Sequence, residues 1–300
     1  MEFPVAINQR IQLPSFASAG IGVHIRREDL VFPLASGNKW RKLKYNLKAF
    51  RESNASTLLT FGGAFSNHLA AVAAMGARYG IATIGIVRGA ELAKKPLNPT
   101  LATCQQNGMI LSFVSREEYR QKELGDTVLA LQKSHDTLYI LPEGGTNAFA
   151  VKGCTEILTP EDEMFDTICC AVGTGGTLAG LANSCTTHQH VVGFQMVKDV
   201  SITARIRTFA KQNNWTLVQH PIHRGYAQVN PHLVAFAHDV LQQTGVLLDP
   251  IYTAPMLFQL VQMIKDDIWT FGTNLLLIHT GGIQGIAGFN SRAALQWPEV

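Results

Sequence analysis

"FDTICCAVGTGGTLAG", residues 165–180, sets an apolar run of strand character, TICCAV, against a glycine-rich turn and a segment, TLAGLANSC, with helical spacing. Strand, tight turn and helix in that order are the repeating unit of a parallel sheet, whose ligands bind at the carboxyl ends of the strands. The same unit recurs outward from this stretch. Short apolar runs occupy 56–63 (STLLTFGG), 81–89, 108–115, 136–145, 190–197 and 273–282; most end in glycine, and one feeds the periodic NHLAAVAAMGARYG at 67–80. The pattern predicts an α/β fold of twisted, mostly parallel sheets with flanking helices. Residues about 52 to 154 hold four of the runs, a self-sufficient set. The flanks, 1–51 and 155–300, are then expected to pair with each other across a smaller inserted α/β domain.

A chain of 300 residues is long enough for about two domains and buries roughly three quarters of its unfolded surface. Its net charge of +3, with acidic residues interspersed throughout, is too small to imply a nucleic-acid partner. Five cysteines without a CxxC pair fit reduced thiols in the cytoplasm. MEFPVAINQR lacks the basic-then-apolar order of a secretory signal, and no apolar run approaches the ~20 residues of a membrane span. A cytoplasmic protein that engages neither membrane nor nucleic acid is expected.

Three motifs bear on chemistry. In GTGGTLAG, Gly173 to Gly180, glycines let backbone N–H groups approach an anion and the following helix contributes the positive end of its dipole. Leu178 stands where a dinucleotide fingerprint needs glycine, and the Gly-Lys-Ser/Thr of a P-loop is missing. What remains is either a monophosphate cup, with Thr174 and Thr177 as hydroxyl donors, or a ligand-free strand–helix turn. FGGAFSNHLAA, 61–71, is again strand end, glycine pair and helix start. Ser66 and Asn67 there are either helix caps or groups that touch a ligand, and His68 by itself reads as a packed or capping histidine.

The third motif is SGNKWRKLK, 36–44. A helix beginning near Asn38 brings Trp40, Leu43, Leu47 and Phe50 onto one apolar stripe, leaving Arg41, Lys44 and Lys48 as a solvated face. Lys39 lies in the first turn, where the dipole and the neighbouring charges of Arg41 and Lys42 favour a neutral amine, the form Schiff-base chemistry requires. Lys42, further along the turn, can instead balance a phosphate. A solvated basic helix end is the plain alternative.

Taken together, SGNKWRKLKYNL, GGAFSNH, LPEGGTN (141–147), GTGGT, LDPIYT (248–253) and HTGG (279–282), in this order, resemble the fold type II pyridoxal-phosphate enzymes. The resemblance is to the aminocyclopropane-carboxylate deaminase and D-cysteine desulfhydrase family, and it runs from about residue 20 to 290. It implies a tryptophan synthase beta-like architecture, pyridoxal 5'-phosphate in a cleft between two domains, and a homodimer acting on a small amino acid as a lyase, deaminase or hydrolase. Carried over residue by residue, it makes Lys39 the Schiff-base lysine and general base and puts Lys42 near the phosphate. Asn67 becomes the partner of the ring hydroxyl, and Ser66 lies beside the substrate. Gly173, Thr174, Gly175, Gly176 and Thr177 match the phosphate cup, and Tyr226 and Tyr252 the two active-site tyrosines. Ala227 and Gln228 depart from the family's pattern after Tyr226.

Two further positions discriminate between reactions. In the deaminase branch the residue after the second tyrosine is a glutamate that partners the pyridine nitrogen, and a leucine precedes the final Gly-Gly; here they are Thr253 and Thr280. A hydroxyl supplies no negative charge to keep the nitrogen protonated, so the ring is a weaker electron sink. Loss of a β-thiol leans on that sink less than opening a cyclopropane does, and the sequence looks more like the desulfhydrase branch. The alternatives are 1-aminocyclopropane-1-carboxylate deamination and cofactor binding without turnover. The segment 87–101 is expected to loop over the cleft.

Overall fold

The computed structural model describes residues 5–32, 35–134, 137–219, 231–291 and 296–299. Ten strands lie among them: β1 (Asn8–Ile11), β2 (Gly22–Arg26), β3 (Thr57–Gly62), β4 (Ala82–Arg88), β5 (Ile110–Val114), β6 (Leu138–Leu141), β7 (Thr167–Val172), β8 (His190–Gln195), β9 (Trp215–Gln219) and β10 (Asn274–Ile278). They form a six-stranded sheet ordered β1-β2-β10-β7-β8-β9 and a four-stranded sheet ordered β5-β4-β3-β6. Every pair is parallel except β1 with β2. This is the α/β architecture with flanking helices that the strand–turn–helix rhythm predicts.

All four strands of the smaller sheet, and β7, β8 and β10 of the larger one, fall on runs legible in the sequence, whereas β1, β2 and β9 do not. β3 and β7 are buried at every position, and a strand covered on both faces reads as an unbroken apolar run. β1 and β9 are sheet edges, each mostly partly exposed, and their NQRI and WTLVQ carry no such run. β2 hides a charge instead: Arg26 is buried because Asp162 Oδ2 pairs with its Nη1 at 3.0 Å, so a polar sequence occupies an inner strand. The pairing of Asn274 to Ile278 with Gly22 to Arg26 brings the two ends of the chain into one sheet.

The helix Asn38–Glu52 buries Trp40, Leu43, Leu47 and Phe50, the stripe expected from spacing. Those side chains share a core with Leu58, Leu69, Met75, Val87 and Leu141 of the four-stranded sheet and its helices, although the helix precedes the boundary expected near residue 52. Its amino end is held by the other sheet. Gly37 has φ +70°, and a Cβ there would stand 2.0 Å from the Thr280 carbonyl oxygen, which accepts a hydrogen bond from Asn38 N at 3.3 Å. Lys39 therefore enters from a junction between the loop after β10 and a helix packed on the second sheet. The loops after β3, β7 and β10 carry residues 63–66, 173–175 and 279–282, so the three glycine motifs lie at carboxyl strand ends. Among the described residues no helix is long and apolar enough to cross a membrane.

Candidate active site

Lys39 keeps a partly exposed side chain, while protein atoms ring its amine. Burial lowers its pKa from the ordinary 10.5 to about 7, assisted by the charge of Lys42 and opposed by Asp249 and Cys154. The neutral amine expected from the sequence is thus favoured, but chiefly by desolvation. Arg41 plays no part in it: its guanidinium donates twice to the buried Glu28 carboxylate, from Nε and Nη2, at 2.9 Å each. Arg41 is accordingly an interior ion-pair residue rather than a solvated one. Lys44 is also engaged, with Glu156 Oε2 at 2.6 Å, and of the three only Lys48 matches the expected exposed face. A carboxylate distant in sequence captured Arg41 and Lys44, which the local pattern could not register.

Asn38 couples the amine to the glycine cup. Its Oδ1 accepts from Lys39 Nζ at 2.7 Å and its Nδ2 donates to Thr177 Oγ1 at 2.8 Å. The Cys154 thiol also points at Thr177 Oγ1, at 4.0 Å. With lone pairs taken by these donors, the Thr177 hydroxyl retains its own hydrogen for an anion. Lys42 is buried, and its Nζ donates to the Gly144 carbonyl at 3.1 Å, Thr146 Oγ1 at 3.2 Å and Thr174 Oγ1 at 3.3 Å. Three acceptors match the three N–H bonds of an ammonium. Lys42 thus acts on the cup from beneath, through Thr174, with its pKa lowered by burial.

The cup is bare backbone by necessity. Gly175 has φ +89°, where a Cβ would meet Ile206 Cγ1 at 2.7 Å; a Cβ at Gly176 would meet Thr146 Cγ2 at 2.9 Å. Gly176–Ser184 is a helix whose first N–H groups open into this turn. The backbone N–H groups of this turn, the Thr177 hydroxyl, the Thr174 hydroxyl hydrogen-bonded with Thr146 Oγ1, and a buried lysine below them form a donor set that suits a phosphate monoester. Tyr252 closes one side: a Cβ at Gly173 would lie 3.3 Å from its Cε1 and 3.5 Å from its hydroxyl.

Ser66 caps the helix Asn67–Tyr79 by accepting from Leu69 N at 3.2 Å, and its turn remains partly exposed. Asn67 faces the loop after β10, because a Cβ at Gly282 would come within 2.9 Å of its Nδ2. His68 is buried, with Nε2 2.8 Å from Thr60 Oγ1, whose hydroxyl donates to the Leu141 carbonyl. Burial, with Lys39 and Lys42 nearby, holds its pKa well below 6.5. It is a packed, neutral imidazole. The segment 87–101 does reach the Ser66 turn: Asn98 Nδ2 donates to the Ala64 carbonyl at 2.9 Å while its Oδ1 caps the helix Pro99–Gln106.

Thr253 is buried, and its hydroxyl is committed: Oγ1 donates to Asp249 Oδ1 at 2.7 Å and accepts from Asp249 N at 2.9 Å. The backbone N–H groups of Ile251, Tyr252 and Thr253 also donate to the buried Asp249 carboxylate. Thr280 is buried in the same region and contributes its carbonyl to Asn38. Tyr226 lies outside the described residues. Asn38, Thr146 and Asp249 were not singled out from the sequence, though each stands inside a quoted motif; a lone polar side chain there gives no sign of what it will face.

The family described as pyridoxal-phosphate dependent enzyme matches residues 5–281. A putative 1-aminocyclopropane-1-carboxylate deaminase of Thermotoga maritima is 33% identical over 89% of this chain and 90% of its own length. The mitochondrial bifunctional D-cysteine desulfhydrase/1-aminocyclopropane-1-carboxylate deaminase of Arabidopsis thaliana is 27% identical over 92% of this chain and 76% of its own. Among solved structures, an ACC deaminase homologue superposes with a TM-score of 0.84 at 23% identity, covering 96% of this chain and 93% of that one.

Proposed function

Because the chain belongs to the pyridoxal-phosphate dependent enzyme family, we propose that it uses this cofactor to break down D-cysteine to pyruvate, sulfide and ammonia. When bound, the cofactor supplies a carbonyl for the substrate amine and an electron sink conjugated with its α-carbon. Gly173 to Thr177 would hold the phosphate, with Lys42 charging the cup from below, and Asn67 the ring hydroxyl. The Lys39 amine, with a pKa of about 7, is a base at neutral pH and takes the α-proton at Nζ. Asn38 Oδ1 accepts from that amine and steadies it. Ser66 and Tyr252 border the substrate, and Tyr226 and Tyr252 orient it and its leaving group. The carbon–sulfur bond breaks with the pair on sulfur, and water completes release of keto acid and ammonia.

The observation that carries the choice of substrate is Thr253 with Asp249. Three backbone N–H groups and the Thr253 hydroxyl occupy the Asp249 carboxylate oxygens, so neither side chain is left to accept a hydrogen bond from a ring nitrogen. A weak sink favours elimination of a good leaving group. The 33% identical relative favours a second reading, 1-aminocyclopropane-1-carboxylate deamination. Purified holoenzyme is assayed for sulfide and pyruvate from D-cysteine beside 2-oxobutanoate from aminocyclopropane-carboxylate. Faster 2-oxobutanoate release would overturn the first reading in favour of the second.

The same proposal includes a cytoplasmic homodimer built from a large unit, 1–51 and 155–300, and an inserted unit, 52–154. Sedimentation at twice the 32.8 kDa chain mass is the expected result.

A further inference from the structure

Beside the Ser66 turn, a charged cluster is left unused by the β-elimination chemistry. Arg88 ends β4, and its Nη2 lies 3.6 Å from where a Cβ of Gly63 would stand. Gly63 opens the turn that closes with Ser66 N donating to the Gly63 carbonyl at 3.1 Å. Beside it, the Tyr119 ring receives two cations, Lys122 Nζ at 3.4 Å and Arg88 Cζ at 5.7 Å from its centroid. The Tyr119 hydroxyl donates to Glu143 Oε1 at 2.6 Å, and Lys122 Nζ pairs with Glu143 Oε2 at 2.8 Å. Glu143 precedes Gly144, where a Cβ would strike Thr174 Cγ2 at 2.7 Å. The cluster therefore spans from the Ser66 turn to the phosphate cup.

Its charges do not balance. Glu143 is the carboxylate shared by Lys122 and Tyr119, and Lys122 reaches it from a backbone with φ +52° and ψ −116°, a strained conformation for any residue but glycine. Arg205, within electrostatic range of Lys122, already pairs with Asp199 at 2.9 Å. Among the described residues, Arg88 has no carboxylate within ion-pair distance, and it is exposed. The ring fixed by Glu143 gives the guanidinium a platform, so it is oriented before any ligand arrives.

We propose that Arg88 forms an anion subsite for the far end of the substrate's β-substituent, so that the enzyme prefers β-substituted alanines carrying a carboxylate or comparable anion there. The proposal rests on the elimination reading for where the substrate lies. A planar guanidinium receives a carboxylate through paired N–H bonds, and Lys122, held by Glu143, adds positive field without competing for the ligand.

The test compares S-carboxymethylcysteine with its near-isosteric, neutral partner S-carbamoylmethylcysteine, both enantiomers of each, on wild-type holoenzyme and on Arg88→Gln and Arg88→Lys. Preference is read as the ratio of kcat/KM where pyruvate forms, and as the ratio of calorimetric affinities where it does not. Absence of pyruvate from every substrate thus sinks the elimination reading while the affinity ratio still decides the subsite. One charge-assisted contact should favour the anion by about tenfold or more in the wild type. Arg88→Gln should bring the ratio near one with D-cysteine turnover unchanged, and Arg88→Lys should keep part of it. A wild-type ratio near one, or a preference that survives Arg88→Gln, overturns the proposal.

Discussion

Lys39 is where local sequence and surrounding structure meet most directly. With its pKa lowered to about 7, the amine is mostly protonated below that pH and mostly free above it. Uptake of pyridoxal phosphate by the cofactor-free protein needs the free amine. The uptake rate, followed by the visible absorbance of the product, should therefore climb as pH rises through about 7 and level off above it; a rate that is flat between pH 6 and 8 would contradict the lowered pKa. Lys39→Ala should abolish borohydride-stable attachment of the cofactor and lower keto acid release by orders of magnitude. Lys42→Ala should act differently, leaving the attachment site intact but weakening cofactor retention, because its three hydrogen bonds hold Gly144, Thr146 and Thr174 around the cup.

The helix Asn38–Glu52 joins the two sheets, and two contacts fix where it lies. Gly153, on the helix Ala148–Cys154, meets it so closely that a Cβ would come within 1.8 Å of the Arg41 carbonyl oxygen. Gly153→Ala must push the helices apart, and overpacking of this kind costs ~1–3 kcal/mol or more, read as a lower urea midpoint. The second contact is Glu28, buried with two hydrogen bonds from Arg41 and Arg26 Nε at 3.6 Å. Glu28→Gln leaves both guanidinium groups without that charge, and breaking such a buried pair destabilises by ~3–5 kcal/mol. The amphipathic stripe of this helix is legible in the sequence as spacing. Its neighbours are not, because Glu28 and Gly153 lie ten residues before and a hundred after it.

For the whole molecule, the buried titratable groups set how stability varies with pH. Lys39 binds its proton up to pH 10.5 when unfolded but only to about 7 when folded, so between these values the unfolded chain holds more protons and stability rises with pH. Lys42, also lowered, acts in the same direction. The thiols act oppositely: burial raises Cys104 and Cys185 from 9.0 to about 12, and the folded state keeps protons the unfolded chain loses above 9.0. Cofactor-free protein should thus gain stability from about pH 7 toward 9 and lose it beyond, as measured by urea midpoints across that range. Buried strands such as TICCAV and TLLTFG, the stripe Trp40–Leu43–Leu47–Phe50 and the glycine turns at strand ends are set by local rules, hydrophobic period and backbone freedom, and the sequence by itself determined them. Only the tertiary structure decided that the Arg41 charge would be spent inside on Glu28, that Asn38 would link Lys39 to Thr177, that Asp249 would absorb the Thr253 hydroxyl, and that Arg88 would be left facing the Ser66 turn. Those outcomes depend on desolvation and on partners brought together across the chain, and neither is a property of a residue and its immediate neighbours.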